Sequence, residues 1–268
     1  MTDVEYDQLK RRIQSLLHLD LNAYKQEQMR RRLEAFVSQS GFSPTSFTAQ
    51  LNSDRTLLGK LADVITINVT EFFRDRAQFD HLRDAILPDL LKTRGRLRIW
   101  SAACSFGQEP YSVAMLLADA GAAHRATIVA TDIDDAALAT AANGGPYTAA
   151  QLHGVTADGL ARHFEPDGER YRIGTALRRR VEFRKLNLLS DPFAAAFDLV
   201  ICRNVMIYFS EDTKATLLQR FHAALTPAGV LFVGGSEALL NAPALGFERA
   251  GPNFYRKSAV QERSDIAA

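Results

Sequence analysis

The first 66 residues carry apolar side chains at spacings of three and four, which places those side chains on one face of a helix. The pattern is clear over residues 6–17, 24–37 and 57–65. Ser43 and Pro44 suit the cap and the first turn of a further helix. No strand-like alternation interrupts these segments. We therefore predict an all-helical N-terminal domain over residues 1–66.

From residue 96 onward, short apolar strands alternate with helices. The clearest strands are LRIWSA, ATIVATDID, FDLVICRN and VLFVGG, and FERAGPNFYRK suits a closing hairpin. Strands that alternate with helices are typical of a parallel sheet with right-handed crossovers. We predict an α/β fold over residues 96–258, in which a doubly wound, mostly parallel, Rossmann-like sheet forms the core.

Three segments depart from this alternation. Residues 67–95 read as a linker with helical signals, and we expect Thr70 to cap a helix that begins near Glu71. The stretch from about 146 to 185 is irregular and contains the hairpin-like GERYRIG, which indicates a small β subdomain inserted in the sheet domain. VEFRKLNLL, at its end, suits another strand of the main sheet. We expect the tail, residues 259–268, to be disordered.

Composition narrows the class of protein. The net charge is +1, so no overall basic field indicates a nucleic-acid partner. Two cysteines give no disulfide framework, and the N-terminus lacks the apolar core of a signal peptide. No apolar run approaches the roughly 20 residues of a membrane span, so we expect a cytoplasmic protein. The six histidines show no ligand-like spacing, so we expect no metal site.

The stretch IWSAACSFGQEPYS, residues 99–112, lies where a strand passes into a helix, at the sheet edge that binds ligands in such folds. Its small residues let a bulky ligand approach, although Gly107 is its only glycine. Glu109 would repel a pyrophosphate and attract a cation. Asp132, 25 residues after Gly107, stands where an acid commonly holds ribose hydroxyls. S-adenosylmethionine fits because it has a ribose, a positive charge and no phosphate, whereas NAD shares only the ribose.

Each of these features also has a purely structural interpretation. A loop of small residues often serves close packing, and a lone Asp after a strand is more often a helix cap than a ribose ligand. Cys104 and Cys202 suit buried apolar positions better than nucleophilic ones. Tyr208 equally suits a core position. Taken singly, most of these residues favour packing over ligand binding.

Taken together, five segments resemble the chemotaxis receptor methyltransferases, the CheR family. They are NVTEFFRD at 68–75, SAACSFGQEPYSVA at 101–114, ATDID at 130–134, NLL at 187–189 and CRNVMIYF at 202–209. They occur in the family's order, and the resemblance runs from about residue 10 to residue 257. The family's usual Gly-Cys-Ser and Gly-Glu-Glu-Pro are Ala103-Cys104-Ser105 and Gly107-Gln108-Glu109-Pro110 here. The family joins a helical domain to a cofactor-binding sheet with a small β subdomain, which is the layout predicted above.

The resemblance implies an S-adenosylmethionine-dependent protein-glutamate O-methyltransferase. Such an enzyme methylates glutamate side chains on chemoreceptor cytoplasmic helices and releases S-adenosylhomocysteine. The implied cofactor pocket is lined by Asn68, Thr70, Arg74, Glu109, Asp132, Asn187, Leu188, Arg203 and Asn204. Asp132 would hold the ribose, and Asn187-Leu188 would reach the adenine. Arg74 and Tyr208 would be catalytic, because they would flank the methyl donor and orient the incoming carboxylate.

Charge in the helical domain bears on the partner. Residues 10–34 carry seven lysines and arginines against three acids, a net charge of +4. Together with the resemblance, this charge favours a surface that docks glutamate-rich receptor helices. The docking candidates are Arg11, Arg12, Lys25, Arg30, Arg31 and Arg32. In some family members the β subdomain also binds a receptor's C-terminal peptide by strand addition. The resemblance further implies a monomer.

Two other function classes stay open from the residues alone. A dehydrogenase with an eroded glycine fingerprint would bind NAD, although the missing glycines and Glu109 argue against it. A non-catalytic adaptor with the same fold would be expected to lack Arg74, Asp132 or Tyr208, and all three are present.

Overall fold

The structure, a computed structural model, describes residues 1–258, so the tail at 259–268 lies outside the described residues. The N-terminal segment is helical, as predicted. Its helices are α1 (Asp3–Leu17), α2 (Gln26–Gln39), α3 (Pro44–Gln50) and α4 (Arg55–Thr66). The side chains of Thr2, Ser43 and Asp54 cap three of these helices by accepting a backbone N–H. The apolar stripe of each helix is buried.

The segment after α4 differs from the prediction. Its helices are α5 (Arg76–His81) and α6 (Leu87–Thr93), with a π-helical turn at Leu82–Ile86 between them. The prediction of a helix that begins near Glu71 with Thr70 as its cap is wrong, because the chain becomes helical only at Arg76. Residues 68–75 instead form an irregular turn, which tertiary hydrogen bonds hold. The N–H of Phe72, for example, donates to the Gln151 carbonyl at 3.2 Å.

The rest of the described chain alternates strands and helices. The strands are β1 (Leu97–Ala102), β2 (Ala126–Asp132), β3 (Phe164–Asp167), β4 (Arg170–Ile173), β5 (Val181–Lys185), β6 (Phe197–Cys202), β7 (Leu225–Val233), β8 (Phe247–Gly251) and β9 (Phe254–Lys257). The helices are α7 (Gln108–Asp119), α8 (Asp135–Ala142), α9 (Ala157–His163), α10 (Thr175–Arg178) and α11 (Glu211–Ala224). In residues 1–258, no helix is both long and apolar enough to cross a membrane.

Seven strands form the main sheet in the order β5-β2-β1-β6-β7-β9-β8. The first five are parallel, and the antiparallel pair β9-β8 extends the sheet beside β7. Chain order reverses at β1, so the switch point lies between β1 and β6. Ile99 of β1 packs with α7 on one face, and Trp100 packs with α11 on the other. The predicted doubly wound, mostly parallel α/β fold is confirmed.

The predicted β subdomain is a two-stranded antiparallel sheet, β3-β4, which lies apart from the main sheet. GERYRIG supplies β4, and α9 leads into β3. Tyr147 attaches the hairpin through two backbone bonds with Tyr171, of 2.8 and 3.0 Å. β5 pairs with β2, so the end of the predicted 146–185 stretch belongs to the main sheet. The hairpin and its helix therefore account for the irregular sequence before β5.

The helical segment is continuous with the sheet. Its apolar side chains share one core with the Trp100 face of the sheet and with α11. A short antiparallel backbone link also joins residues 23–25 to residues 208–210. In this link the N–H of Lys25 donates to the Tyr208 carbonyl at 2.8 Å, and the N–H of Ser210 donates to the Ala23 carbonyl at 2.9 Å. The division at residues 66 and 95 therefore stays a proposal, drawn from the sequence pattern.

Candidate active site

A cleft of about 980 Å³, its open mouth included, lies at the carboxyl ends of the parallel strands. Segments that follow β1, β2, β5 and β6 form its floor, and the turn before α5 forms one wall. Its lining includes every residue proposed above for the cofactor, together with Tyr208. These are Asn68, Thr70, Arg74, Glu109, Asp132, Asn187, Leu188, Arg203 and Asn204. The geometry thus brings the proposed residues together, and their individual roles stay predictions.

The loop between β1 and α7 shows why one glycine suffices. Ala103 and Ser105 both adopt positive φ, of 62° and 49°, which are unusual for residues other than glycine. Gly107 has φ 89°, and a Cβ atom there would lie 2.9 Å from Ala141 Cβ and 3.3 Å from Ala141 Cα. Glycine is therefore required at position 107, where α8 comes closest. Elsewhere small side chains keep the loop open towards the cleft.

Gly107→Ala should be destabilising because its new methyl group would overlap α8. Gly121→Ala is the matched control, since Gly121 has φ 67° and no atom within 4 Å of an added Cβ. We expect the Gly107 variant to lose about 1–3 kcal/mol more free energy of unfolding than the control. Urea unfolding of both variants measures this difference. Equal losses would show that the approach of α8 does not require the glycine.

Two carboxyl groups with little solvent exposure face the cleft, and the side chain of Glu109 is 12% exposed. Asp132, at the end of β2 and 7% exposed, accepts the N–H of Ser105 at 2.7 Å and the N–H of Asp134 at 3.0 Å. Glu109, in the first turn of α7, accepts the hydroxyl of Ser101 at 2.8 Å. Burial raises the pKa of both carboxyl groups, although the hydrogen bonds they accept oppose this rise. A cationic ligand would stabilise their charged forms.

The affinity for S-adenosylmethionine should therefore depend on pH. A bound sulfonium favours the ionised forms of Glu109 and Asp132, so binding lowers pKa values that burial has raised. Affinity should fall as the pH drops through these raised values, starting above the ordinary values of 4.5 and 3.8. S-adenosylhomocysteine, which lacks the sulfonium charge, should lose less affinity. Calorimetric titrations of both ligands across pH test this, and parallel curves would contradict it.

Arg203 is a buried cation beside these acids. Its side chain is 2% exposed, and its guanidinium carbon lies 5.3 Å and 4.7 Å from the ring centroids of Phe79 and Phe232. Nη2 donates to the Arg74 carbonyl (2.9 Å), the Asp75 carboxylate (2.7 Å) and Gln78 Oε1 (3.0 Å). Nη1 lies 3.5 Å from Glu109 Oε2. Arg203 therefore supports the turn that carries Arg74.

The turn before α5 supplies Asn68, Thr70 and Arg74. Asn68 Nδ2 donates to Asp134 Oδ2 at 2.7 Å, and its Oδ1 accepts the hydroxyl of Ser105 at 2.8 Å. These bonds engage both ends of the Asn68 amide, so this side chain ties the turn to the loops after β1 and β2. Thr70 and Arg74 line the cleft from the same turn.

The opposite wall comes from the loops after β5 and β6. Asn187 Oδ1 accepts the N–H of Leu189 at 2.9 Å, and its Nδ2 donates to the His18 carbonyl at the end of α1, 3.1 Å away. Leu188 is 7% exposed and presents an apolar surface to the cleft. Asn204 follows β6 with φ 60°, and Tyr208 ends the short 3-10 helix Met206–Tyr208.

Sequence reasoning missed a wall that the helical segment contributes. Leu19, Tyr24, Ile65, Thr66 and Ile67 all line the cleft. These residues read as ordinary helix-core or helix-end positions, so the local pattern contained no signal for their role. Asp134 is not among the residues that line the cleft; it caps α8 and accepts a hydrogen bond from Asn68. The helical segment is therefore part of the site as well as a candidate docking surface.

The six candidate docking residues do not form a single surface. Arg30 points towards α1, where it pairs with Asp3 at 2.6 Å, and it also pairs with Glu34 at 3.1 Å. Arg32 lies about 200° around α2 from Arg30, at 100° per residue. Its guanidinium carbon is 5.4 Å from the Tyr208 ring centroid. The charge of Arg30 is thus partly offset by acids, while Arg32 lies beside the cleft.

The other four docking candidates also lie in different places. Arg11 and Arg12 line a groove between α1 and α3, and Arg31 is exposed on α2. Lys25 precedes α2, and its backbone N–H bonds to the Tyr208 carbonyl. Lys25 and Arg32 are therefore the two candidates that the structure places next to Tyr208. Their contact with a receptor stays a prediction.

Comparison with known proteins decides the family. The family model described as the CheR methyltransferase SAM-binding domain matches residues 68–249. The chain belongs to the CheR methyltransferase family. The chain is 39% identical to a chemotaxis protein methyltransferase of Listeria monocytogenes over 260 residues, which cover 96% of this chain and 99% of that one. Chemotaxis protein methyltransferase 1 of Pseudomonas aeruginosa is 42% identical over 237 residues, 83% and 86% of the two chains.

The match to the CheR family confirms three predictions from the sequence. The resemblance was correct, the cofactor is S-adenosylmethionine, and the chain is a methyltransferase of the chemotaxis type. The NAD-dependent dehydrogenase is set aside. Chemotaxis protein methyltransferase Cher2 of Pseudomonas putida is 35% identical over 255 residues, which cover 90% of this chain and 92% of that one.

Among residues 1–258, no group of three or more His, Cys, Asp or Glu residues could hold a metal ion.

Proposed function

We propose that this CheR-family enzyme methylates glutamate side-chain carboxylates on chemoreceptor cytoplasmic helices, giving glutamate methyl esters and S-adenosylhomocysteine. The observation that carries the proposal is one cleft in which Asp132 is buried, Glu109 is only slightly exposed, and Arg74 and Tyr208 line the same space. The curated relatives are named as chemotaxis protein methyltransferases, which supports a receptor substrate.

The residues of the cleft fit S-adenosylmethionine. Asp132 stands at the end of β2, where an acid can accept both hydroxyls of a ribose. Asn187 and Leu188 would hold the adenine, and the carboxylate of Glu109, which is only slightly exposed, would favour the positively charged end of the cofactor. When bound, the cofactor supplies a methyl group that its sulfonium activates as an electrophile. The small residues Ala103, Cys104 and Ser105, which line the cleft, let the ligand lie close to the backbone.

The substrate needs no general base. A free glutamate has a pKa of about 4.3, so at neutral pH it is already a carboxylate nucleophile. The enzyme's task is to orient that carboxylate and exclude water, and such positioning can lower a barrier by up to roughly 7–11 kcal/mol. Arg74 would pair with the incoming carboxylate, and Tyr208 would flank it at the mouth of the cleft. Attack of an anion on a cation neutralises charge, which a water-poor cleft favours.

Calorimetric titration with S-adenosylmethionine, S-adenosylhomocysteine and NAD tests the cofactor half of the proposal. We expect saturable binding of the first two ligands and none of NAD. Transfer of a labelled methyl group to a receptor cytoplasmic fragment, with base-labile ester formation as the readout, tests the other half. Cofactor binding without any labelled receptor would favour the non-catalytic adaptor.

Salt should slow receptor methylation if the basic residues steer the receptor. Lys25 and Arg32 lie next to Tyr208, and exposed charges are screened over about 8 Å at physiological ionic strength. We expect kcat/KM for the receptor to fall as salt rises, while the affinity for S-adenosylhomocysteine stays nearly constant. Arg32→Ala should reduce this salt dependence more than Arg30→Ala, because Asp3 and Glu34 already offset Arg30. A flat salt response would contradict the docking surface.

We propose the β3-β4 hairpin as a secondary contact for a receptor C-terminal peptide. A peptide could add a strand along β3, because β4 already bonds to β3 and to Tyr147. Pro166 removes one N–H donor from β3, so fewer backbone bonds are available to such a peptide. Titration with a receptor tail peptide measures this contact, and absence of binding would remove it from the proposal.

A further inference from the structure

Glu237 is a buried acid that the sequence analysis did not single out. It follows β7, is 9% exposed, and accepts three backbone N–H groups. Its Oε2 accepts from Asn204 at 2.7 Å and from Gly234 at 2.9 Å, and its Oε1 accepts from Ile207 at 3.1 Å. Two of these donors belong to the turn after β6 that lines the cleft. One carboxylate therefore clamps that turn from the neighbouring strand.

The clamped turn carries groups of the candidate active site. Asn204 adopts φ 60° and lines the cleft, and Ile207 lies in the 3-10 helix that ends at Tyr208. Asparagine tolerates the left-handed region better than most residues, but this conformation is still uncommon and is stabilised by neighbouring contacts. The short hydrogen bond from the Asn204 N–H to Glu237 is one such stabilising contact.

Gly234 lets the carboxylate come this close. A Cβ at position 234 would lie 2.6 Å from Glu237 Oε2 and 2.9 Å from the Asn204 nitrogen, so a side chain there would collide with both. Among the residues that the structure describes, Glu237 makes no salt bridge within 4.0 Å, and its bonded partners are backbone amides. A buried anion bonded to amides makes strong, charge-assisted hydrogen bonds.

We propose that Glu237 is a positioning residue for cofactor binding and methyl transfer, because its carboxylate sets the backbone of residues 203–208. This inference rests on the proposed function, since it assigns a role to Asn204 and Tyr208 through that turn. Glu237 acts on the turn from the side of β7, whereas Lys25 and Ala23 hold its far end through the link to the helical segment. The turn is thus fixed at both ends.

The test compares Glu237→Gln and Glu237→Asp with the exposed control Glu248→Gln on β8. Affinity for S-adenosylhomocysteine is measured by calorimetry, and exchange of the Asn204 and Ile207 amide hydrogens is followed by NMR. Glu237→Gln should weaken binding roughly 10- to 100-fold and speed the exchange of both amides, because an uncharged amide replaces the carboxylate. Glu237→Asp keeps the charge and should restore part of the affinity, while Glu248→Gln should match the parent.

Wild-type affinity and unchanged exchange in Glu237→Gln would overturn the inference. Failure of the parent enzyme to bind S-adenosylhomocysteine would instead count against the cofactor site itself, so the two failures are distinguishable. If Glu237→Gln does not fold, the parent enzyme still provides a test. Its Asn204 and Ile207 amides should exchange slowly, and exchange as fast as that of exposed loop amides would overturn the inference.

Discussion

Asp132→Ala should reduce the affinity for S-adenosylmethionine and S-adenosylhomocysteine by about 100-fold, the largest binding defect we expect from any single change. The carboxylate is buried at the end of β2, so the variant would lose hydrogen bonds to a ribose that water cannot replace in the cleft. Both ligands should be weakened because both contain the ribose, and S-adenosylmethionine should lose more affinity because it also loses the attraction between the carboxylate and its sulfonium. Calorimetric titration of the purified variant measures the two dissociation constants directly.

Two controls separate ribose binding from folding. Asp135→Ala removes a neighbouring acid that is exposed and pairs with Lys185, so it should leave both affinities unchanged. Asp132 also accepts the N–H groups of Ser105 and Asp134, so the variant's thermal unfolding must be measured alongside its binding. A stably folded Asp132→Ala protein that binds both ligands as tightly as the parent would rule out the ribose role.

Arg74→Ala should slow methyl transfer by about 100-fold or more while cofactor affinity changes little. The reason is that Arg74 would pair with the incoming carboxylate in the transition state, whereas Asp132 and Asn187 would hold the cofactor. Its guanidinium donates to the Val69 carbonyl at 2.9 Å, which keeps it at the mouth of the cleft. Single-turnover methylation of a receptor fragment measures the rate, and titration with S-adenosylhomocysteine measures the affinity.

Arg76→Ala is the matched control for this variant. Arg76 is an exposed arginine in the first turn of α5, and it pairs with Asp80 at 3.1 Å outside the cleft. Its loss should leave both the rate and the affinity near those of the parent. If Arg74→Ala instead lost affinity for S-adenosylhomocysteine and kept its single-turnover rate at saturation, Arg74 would be a cofactor ligand and would have no part in catalysis.

The sheet could be predicted from the sequence because its signals are local. Each strand, such as 97–102, is a short apolar run, and in each following helix apolar residues recur every three or four positions. The turn at 68–75 could not be predicted in the same way. Thr70 and Glu71 resemble a helix start, but bonds from Phe72 to Gln151 and from Arg203 to the Arg74 carbonyl override that preference. Those partners are distant in sequence, so no local pattern reveals them.

The site was predictable only in part for the same reason. Asp132 and Glu109 stand at positions where the fold alone predicts a ligand, and both line the cleft. Tyr24, by contrast, is an apolar-facing residue near the start of a helix, and nothing in its surroundings distinguishes it from core. Glu237 was missed because its role depends on Gly234 and on a turn from another strand. The roles of both residues depend on contacts with residues that are distant in sequence, so a local pattern does not reveal them.

The antiparallel link between residues 23–25 and 208–210 means that the N-terminal helices help to hold the backbone around Tyr208 in place. A shortened enzyme that began after α4 would lose the carbonyl and the N–H to which the backbone around Tyr208 is bonded. Such a deletion would be an active-site mutation as well as the loss of a docking surface. A receptor helix that bound against α2 would act on the same backbone hydrogen bonds. Receptor binding could therefore shift the position of Tyr208 and change the rate of methyl transfer.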